Sequence, residues 1–226
     1  MSLSSTPDLA GLELAVVPVT AFGHNCSILW DPATRHAVVV DPGGDVPVLL
    51  HALAARDLTV DCILLTHGHL DHAGGADALR NELVRLQGGT VPIIGPDERD
   101  AFLLSDIAAQ AARYGLTGMG NVTVDRYVTD GETLPVLGRS LAVLHVPGHT
   151  PGHVVFHDPK AGFAFVGDTL FRGSVGRTDF PYGNGPQLIQ AIVDRLLPLG
   201  DAVTILPGHG DMTTIGAERR SNPFLR

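Results

Sequence analysis

Four potential metal ligands lie within six residues in the stretch Thr66-His67-Gly68-His69-Leu70-Asp71-His72. The stretch follows Cys62-Ile63-Leu64-Leu65, an apolar β-prone run that reads as a buried strand delivering its loop to one edge of a sheet. Imidazole nitrogen and carboxylate oxygen are the ligands a borderline divalent ion prefers. His67 and His69 alternate around Gly68, which has no side chain to crowd an ion. Asp71 and His72 follow where the chain turns into a helix, so they address a second point beside the first. A polar loop with unrelated histidines does not account for this ligand density.

Three further candidates sit where an apolar strand runs into a Gly or Pro-Gly turn. Val143-Leu144-His145-Val146-Pro147-Gly148 leads to His149, Phe163-Ala164-Phe165-Val166-Gly167 to Asp168, and Val203-Thr204-Ile205-Leu206-Pro207-Gly208 to His209. Rigid strands with ligands on their loops are the usual way to build an open site.

The remaining text supplies the scaffold. Strands are expected over 12–19, 25–30 and 36–40, three in succession and so an antiparallel meander. Helical spacing covers 46–56, 76–86, 97–113 and 187–197, and further strands are expected at 91–94, 141–146, 154–157, 163–166 and 203–206. The glycine-rich stretch 114–121 reads as a loop over a site. Strands bracketed by helices in both halves predict an α+β fold, a four-layer αββα sandwich of two packed sheets with helices outside. No linker-like shift divides residues 1–226, so a single domain is expected.

Composition narrows the function. A net charge of −9 with no basic run argues against nucleic acid as a partner. With 44% hydrophobic but only 5% aromatic residues, the core should be aliphatic. Cys26 and Cys62 read as buried free thiols of a reducing compartment, with no paired base to make either a nucleophile. Met1 to Gly11 shows no secretory pattern and no run is long enough to span a bilayer, so the cytoplasm is the expected setting, without a membrane partner.

The set His67, His69, Asp71, His72, His149, Asp168 and His209 resembles the metallo-β-lactamase superfamily in its two-metal form. The flanking stretches Val40-Asp41-Pro42-Gly43-Gly44, Pro147-Gly148-His149-Thr150-Pro151-Gly152-His153, Gly167-Asp168-Thr169-Leu170-Phe171, Pro207-Gly208-His209-Gly210 and Glu218-Arg219-Arg220-Ser221-Asn222-Pro223-Phe224 are similar to glyoxalase II, in its short single-domain bacterial type. The resemblance implies that His67, His69 and His149 hold one metal, that Asp71, His72 and His209 hold another, and that Asp168 bridges both. It makes His67, Asp71 and Asp168 the catalytic candidates. Two divalent ions are implied, zinc first, with iron or manganese acceptable to the same ligands. The implied reaction is hydrolysis of S-D-lactoylglutathione or a related acyl thioester by a metal-bridging hydroxide, so the partner is a small-molecule thioester. Arg177 would hold the glycine carboxylate of glutathione, its other reading being a structural ion pair with Asp179. Asp41 reads as an acceptor that orients a ligand histidine, or as a turn former. His145 and His153 read as supporting or packing residues, His24 as an ordinary loop position rather than one facing the cleft mouth, and His36, His51 and His157 as surface or edge.

Two departures bear on the substrate. Larger glyoxalase II members add a C-terminal helical domain, which has no counterpart up to Arg226, and a tyrosine after the last metal histidine, where this chain has Gly210-Asp211. Competing readings on the same scaffold are a mononuclear-iron persulfide dioxygenase, which shares the stretch Gly176-Arg177-Thr178-Asp179-Phe180 and would use His67, His149 and Asp168, and a lactone or phosphodiester hydrolase. A non-catalytic binder is disfavoured, because it gains little from two complete ligand sets.

Overall fold

The structure, a computed structural model, describes residues 9–226; most of the stretch Met1 to Gly11, read above for a secretory pattern, lies outside the described residues. The chain first builds β1 (Glu13–Val19), β2 (His24–Trp30) and β3 (His36–Val40), paired antiparallel as the expected meander. After α1 (Val46–Ala54), β4 (Thr59–Leu64) pairs parallel with β3. A short α2 (Leu70–Ala73) and α3 (Ala76–Gln87) come next, and β5 (Ile93–Ile94) completes a five-stranded sheet in the order β1-β2-β3-β4-β5.

Alternation sorts the side chains of this sheet into two layers. Cys26, Ile28, Trp30, Ala37, Val39, Val60 and Ile63 pack with Leu49 and Leu53 of α1 and Leu79 and Leu83 of α3. Leu29, Val38, Val40, Cys62 and Leu64 face the other way, toward the second sheet. β4 needs a bulge to keep this sorting: Ala37 pairs with Val60 but Val38 with Cys62, so Asp61 is the extra residue.

The expected helix over 97–113 is broken. A 3₁₀ turn (Glu98–Asp100) leads into α4 (Ala101–Leu104), and α5 (Ile107–Arg113) starts after a kink. At the break the Ser105 hydroxyl donates to the carbonyl of Phe102, a local bond that competes with the helical ladder.

A six-stranded second sheet runs in the order β13-β12-β9-β8-β7-β6, formed by β6 (Thr133–Val136), β7 (Arg139–His145), β8 (Val154–Asp158), β9 (Phe163–Gly167), β12 (Thr204–Pro207) and β13 (Thr213–Thr214). β6 escapes a sequence reading because Pro135 interrupts it. At the sheet edge the missing N–H costs no ladder bond. A small hairpin, β10 (Leu170–Phe171) with β11 (Ser174–Val175), comes after β9. Helix α6 (Gly185–Ala191) continues into a π-helical turn (Ile192–Leu196), and α7 (Ile215–Ser221) closes the chain. Val155, Ala164, Val166 and Ile205 pack under Leu188, Ile192, Leu196 and Ile215. Phe156, Phe163, Phe165, Leu141, Val143 and Leu206 meet the first sheet. The layers are therefore helix, sheet, sheet, helix, as expected. No helix among the described residues is long and apolar enough to cross a membrane.

Candidate metal centre

Four strands deliver the expected residues to one end of the sandwich. β4 ends at Leu64 just before the histidine loop, β7 at His145 before His149, β9 at Gly167 before Asp168, and β12 at Pro207 before His209. α2 lifts Asp71 and His72 beside the loop. Residues up to 142 positions apart thus meet at the strand termini.

Three nitrogens form one cluster. His69 Nδ1 lies 3.0 Å from His67 Nε2 and 2.9 Å from His149 Nε2. Ligand–ligand edges of roughly 3.3 Å are what a tetrahedral ion with bonds of about 2.0–2.1 Å requires, so the spacing fits a metal after slight expansion. Beside it, His209 Nε2 lies 3.2 Å from Asp71 Oδ2, and His72 and His209 come together with His24 closely enough to share an ion, the His24 Nδ1 being buried without a hydrogen bond among the described residues. Asp168 stands between the two groups: Oδ1 is 3.2 Å from His72 Nε2, while Oδ2 is 3.6 Å from His149 Nε2 and 3.7 Å from His209 Nε2. His72 Nε2 and Asp168 Oδ1 are buried and make no hydrogen bond among the described residues. Buried polar atoms aimed at a common point without bonding one another are the donor set a divalent ion satisfies. Gly208 is needed here, since a Cβ would fall 2.4 Å from Asp168 Oδ1 and 2.5 Å from His72 Cε1. Gly68 matters for a different reason than ion crowding. Its Cβ would strike Leu103 and the carbonyl of Asp100, so it admits the 97–104 segment behind the loop.

The outward nitrogens of these histidines are held by acceptors, which fixes the tautomers. His72 Nδ1 donates to Asp41 Oδ2 at 2.9 Å. Asp41 also accepts from the Thr66 amide and hydroxyl at 2.7 and 2.6 Å, and Thr66 Oγ1 is 3.1 Å from His67 Nδ1. One carboxylate therefore orients His72 directly and His67 through Thr66. His149 Nδ1 donates to the Arg177 carbonyl at 2.7 Å. His69 Nε2 lies 2.8 Å from the Tyr182 hydroxyl. In these tautomers His67, His69 and His149 turn a bare nitrogen inward, and His72 turns Nε2 toward Asp168.

Electrostatics follows from burial. Burial, with His72 and other histidines beside it, holds the His67 pKa well below the ordinary value, and burial with the neighbouring His149 pushes His69 down to about 3. Burial opposes charge on His72 as well, but the Asp168 and Asp41 carboxylates outweigh it and raise its pKa. Burial would raise Asp71 and Asp168. The His209 bond on Asp71 and the His72 contact on Asp168 overcome this and keep both carboxylates ionised. The His209 pKa is raised in the same way, burial being outweighed by its bond to Asp71 and by Asp168. Metal binding needs neutral imidazoles, so His67 and His69 are ready for an ion, whereas an ion at His72 and His209 would displace a proton from each.

Supporting residues divide between those expected and those not. Asp41 takes the orienting reading. His153 is a supporting residue, buried, accepting the Asp168 amide at Nε2 and stacked on His67. His145 bonds the Pro151 carbonyl at the edge of the site, and His36 pairs with Asp61 on the surface. His24 corrects the loop reading. It opens β2 fully buried, lies tilted with its ring 3.9 Å from that of His72 and donates from Nε2 to the Asp41 carbonyl. His157 is also buried rather than at the surface, because β8 is covered on both faces. Arg177 has the ion pair with Asp179 that was its structural reading, and its guanidinium lies over Phe180, yet it also lines the cavity beside the centre.

Two functional neighbours had no signal in the sequence. Asp100 is fully buried and accepts from the Gly68 amide, the Thr150 hydroxyl and the Gly152 amide at 2.9, 2.7 and 2.6 Å. It ties the His67–His69 loop to the loop carrying His149. Burial pushes its pKa up to about 6 against the pull of those three donors. Tyr182, behind His69, has its hydroxyl pushed up to about 12 by burial. A cavity of about 480 Å³ opens over the centre, lined by Phe22, Tyr114, Phe171, Arg177, Phe180 and Tyr182 among others. The 114–121 loop contributes Tyr114 to it.

The sequence profile described as the metallo-beta-lactamase superfamily matches residues 19–209. Hydroxyacylglutathione hydrolase GloC of Haemophilus influenzae is 44% identical, the match covering 95% of this chain and 98% of that protein. Among solved structures, the BLEG-1 B3 metallo-beta-lactamase aligns with a TM-score of 0.84 at 34% identity, over 94% of this chain and 99% of that one. TTHA1623 in a di-iron-bound form aligns with a TM-score of 0.79 at 35% identity, over 93% of this chain and 100% of that one. With its fold, its clustered histidines and aspartates at the strand ends and these matches in agreement, the chain belongs to the metallo-β-lactamase superfamily, is an enzyme of it, and resembles glyoxalase II within it.

Proposed function

We propose that this enzyme hydrolyses acyl thioesters, S-D-lactoylglutathione or a related one, at a centre of two divalent ions. His67, His69 and His149 would hold one ion, Asp71, His72 and His209 the other, and Asp168 would share an oxygen with each. The observation that carries the reading is the position of Asp168, with one oxygen facing His72 and the other facing His149 and His209. Divalent ions held there would supply a water ionised near neutral pH and a Lewis acid for the thioester carbonyl. Zinc heads the candidates on ligand type, and iron, which the di-iron TTHA1623 holds, fits the same donors.

The chain's own residues do the rest. Asp41, the Arg177 carbonyl and Tyr182 keep the ligand nitrogens bare and aimed. The thiol leaves as a thiolate, whose conjugate acid has a pKa of about 8.5, so no side chain is required to protonate it in the bond-breaking step. Arg177 would take a carboxylate of the thiol portion at the cavity wall, exchanging its Asp179 partner for it. The GloC relative, named for a glutathione thioester hydrolase, supports the thiol assignment.

The test is a substrate panel on metal-loaded protein: S-D-lactoylglutathione, a lactone, a phosphodiester and a β-lactam. Preferential loss of the thioester is expected. Oxygen uptake with glutathione persulfide by a one-iron sample, without thioester loss, would replace the proposal with the dioxygenase reading.

A further inference from the structure

Aromatic residues are scarce in this chain, eight Phe, three Tyr and one Trp. Five of these rings, Phe22, Tyr114, Phe171, Phe180 and Tyr182, line the one cavity over the candidate metal centre. They come from four separate parts of the fold: the β1–β2 turn, the end of α5, the β10–β11 hairpin and the segment before α6. Phe22 and Tyr114 meet edge to face at 6.1 Å across the mouth, though 45% and 66% exposed. Phe180 and Tyr182 stack at 5.4 Å with an 11° interplanar angle, and the Phe180 ring lies 4.8 Å from His69 and 5.9 Å from His149. Leu70 and Val175 extend the same wall.

None of the five rings belongs to the buried clusters of the core. The two sheets are sealed by other residues, so apolar surface left open beside a polar centre calls for an occupant. Charge limits what that occupant is. Arg177 is the one lysine or arginine among the described residues that line the cavity, and it is already paired with Asp179. A carrier thiol with several phosphates would require more cations. A single carboxylate-bearing thiol is within reach of Arg177, while the rings closest to the nitrogen cluster call for an apolar group next to the scissile carbonyl.

Resting on the thioesterase reading, we infer that the preferred substrate carries a bulky apolar acyl substituent, aryl or branched aliphatic, seated between the Phe22–Tyr114 pair and the Phe180–Tyr182 stack. The small methyl of a lactoyl group leaves that wall unfilled.

Two comparisons test this on the full chain. The first is calorimetric binding of S-benzylglutathione against S-methylglutathione, which cannot be hydrolysed and differ in the group replacing the acyl. The second is turnover of S-D-mandeloylglutathione against S-D-lactoylglutathione, which differ by phenyl for methyl. At least tenfold tighter binding of the benzyl compound is expected, about 1.4 kcal/mol, with a matching rise in kcat/KM for the mandeloyl ester. In Phe22→Ser and Tyr114→Ser, whose side chains are exposed, the preference should shrink to within about threefold while lactoyl turnover changes less. Equal binding of the two thioethers overturns the inference and leaves the thioesterase reading untouched. A benzyl preference without turnover of either ester sinks the thioesterase reading and keeps the apolar subsite.

Discussion

At the scale of single residues, the chemistry depends on which atoms hold protons. Asp41 is the clearest case, because its carboxylate orients His72 directly and His67 through Thr66. In Asp41→Asn an amide can no longer serve all these donors, so the tautomer preference is lost. Affinity for the ion near His72 should fall about 10–100-fold in calorimetric titration, the usual cost of an orienting partner; unchanged affinity would return Asp41 to a turn-forming role. Arg177 separates side chain from backbone. Its carbonyl holds His149 whatever the side chain, so Arg177→Ala should spare the centre and raise KM for glutathione thioesters with little change in kcat. An unchanged KM would leave the guanidinium with Asp179 alone. His24 shows where residue-level reading fails. Its sequence context is a Gly-flanked turn, yet the turn closes one residue earlier and the side chain enters the site.

At the scale of elements, the strand ends were legible and the connections between them were not. Each apolar run ending in Gly or Pro-Gly marked a strand that delivers a candidate ligand, since burial of the run and exposure of the residue after the turn are both written locally. Asp100 could not be read this way: its partners lie 32, 50 and 52 residues away, and its own context, Pro96-Asp97-Glu98, signals only a helix start. The break between α4 and α5 was equally hidden, because apolar spacing continues across it. Asp100→Asn places an NH₂ group where at least one of three donors must lose its acceptor. A loss of about 1–3 kcal/mol is expected, and thermal unfolding should shift down by about 2–4 °C per kcal/mol. An unchanged midpoint would mean that the two ligand loops hold each other without Asp100.

At the scale of the whole molecule, two sheets with helices outside bring seven ligand candidates to one end. The layer order was readable from periodicity, whereas the aromatic mouth was not, because its rings are scattered through turns. A centre that gathers bare imidazoles and ionised carboxylates from both halves couples metal binding to folding. Removing metal with a chelator should therefore lower the unfolding midpoint. At a thousandfold excess of metal over its Kd the difference is about 4 kcal/mol per ion, readable as roughly 10 °C. An identical midpoint with and without chelator would show that the clustered side chains are satisfied without an ion.

Metal equivalents bound per chain test the two-ion centre most directly, measured by elemental analysis of chelated protein reloaded with zinc and freed of excess. Two equivalents are expected in the native chain, falling in Asp168→Ala together with turnover, by more than the 10–100-fold cost of losing an orienting residue. One equivalent in the native chain, or two retained in Asp168→Ala with normal turnover, would contradict the shared role of Asp168 and with it the dinuclear centre.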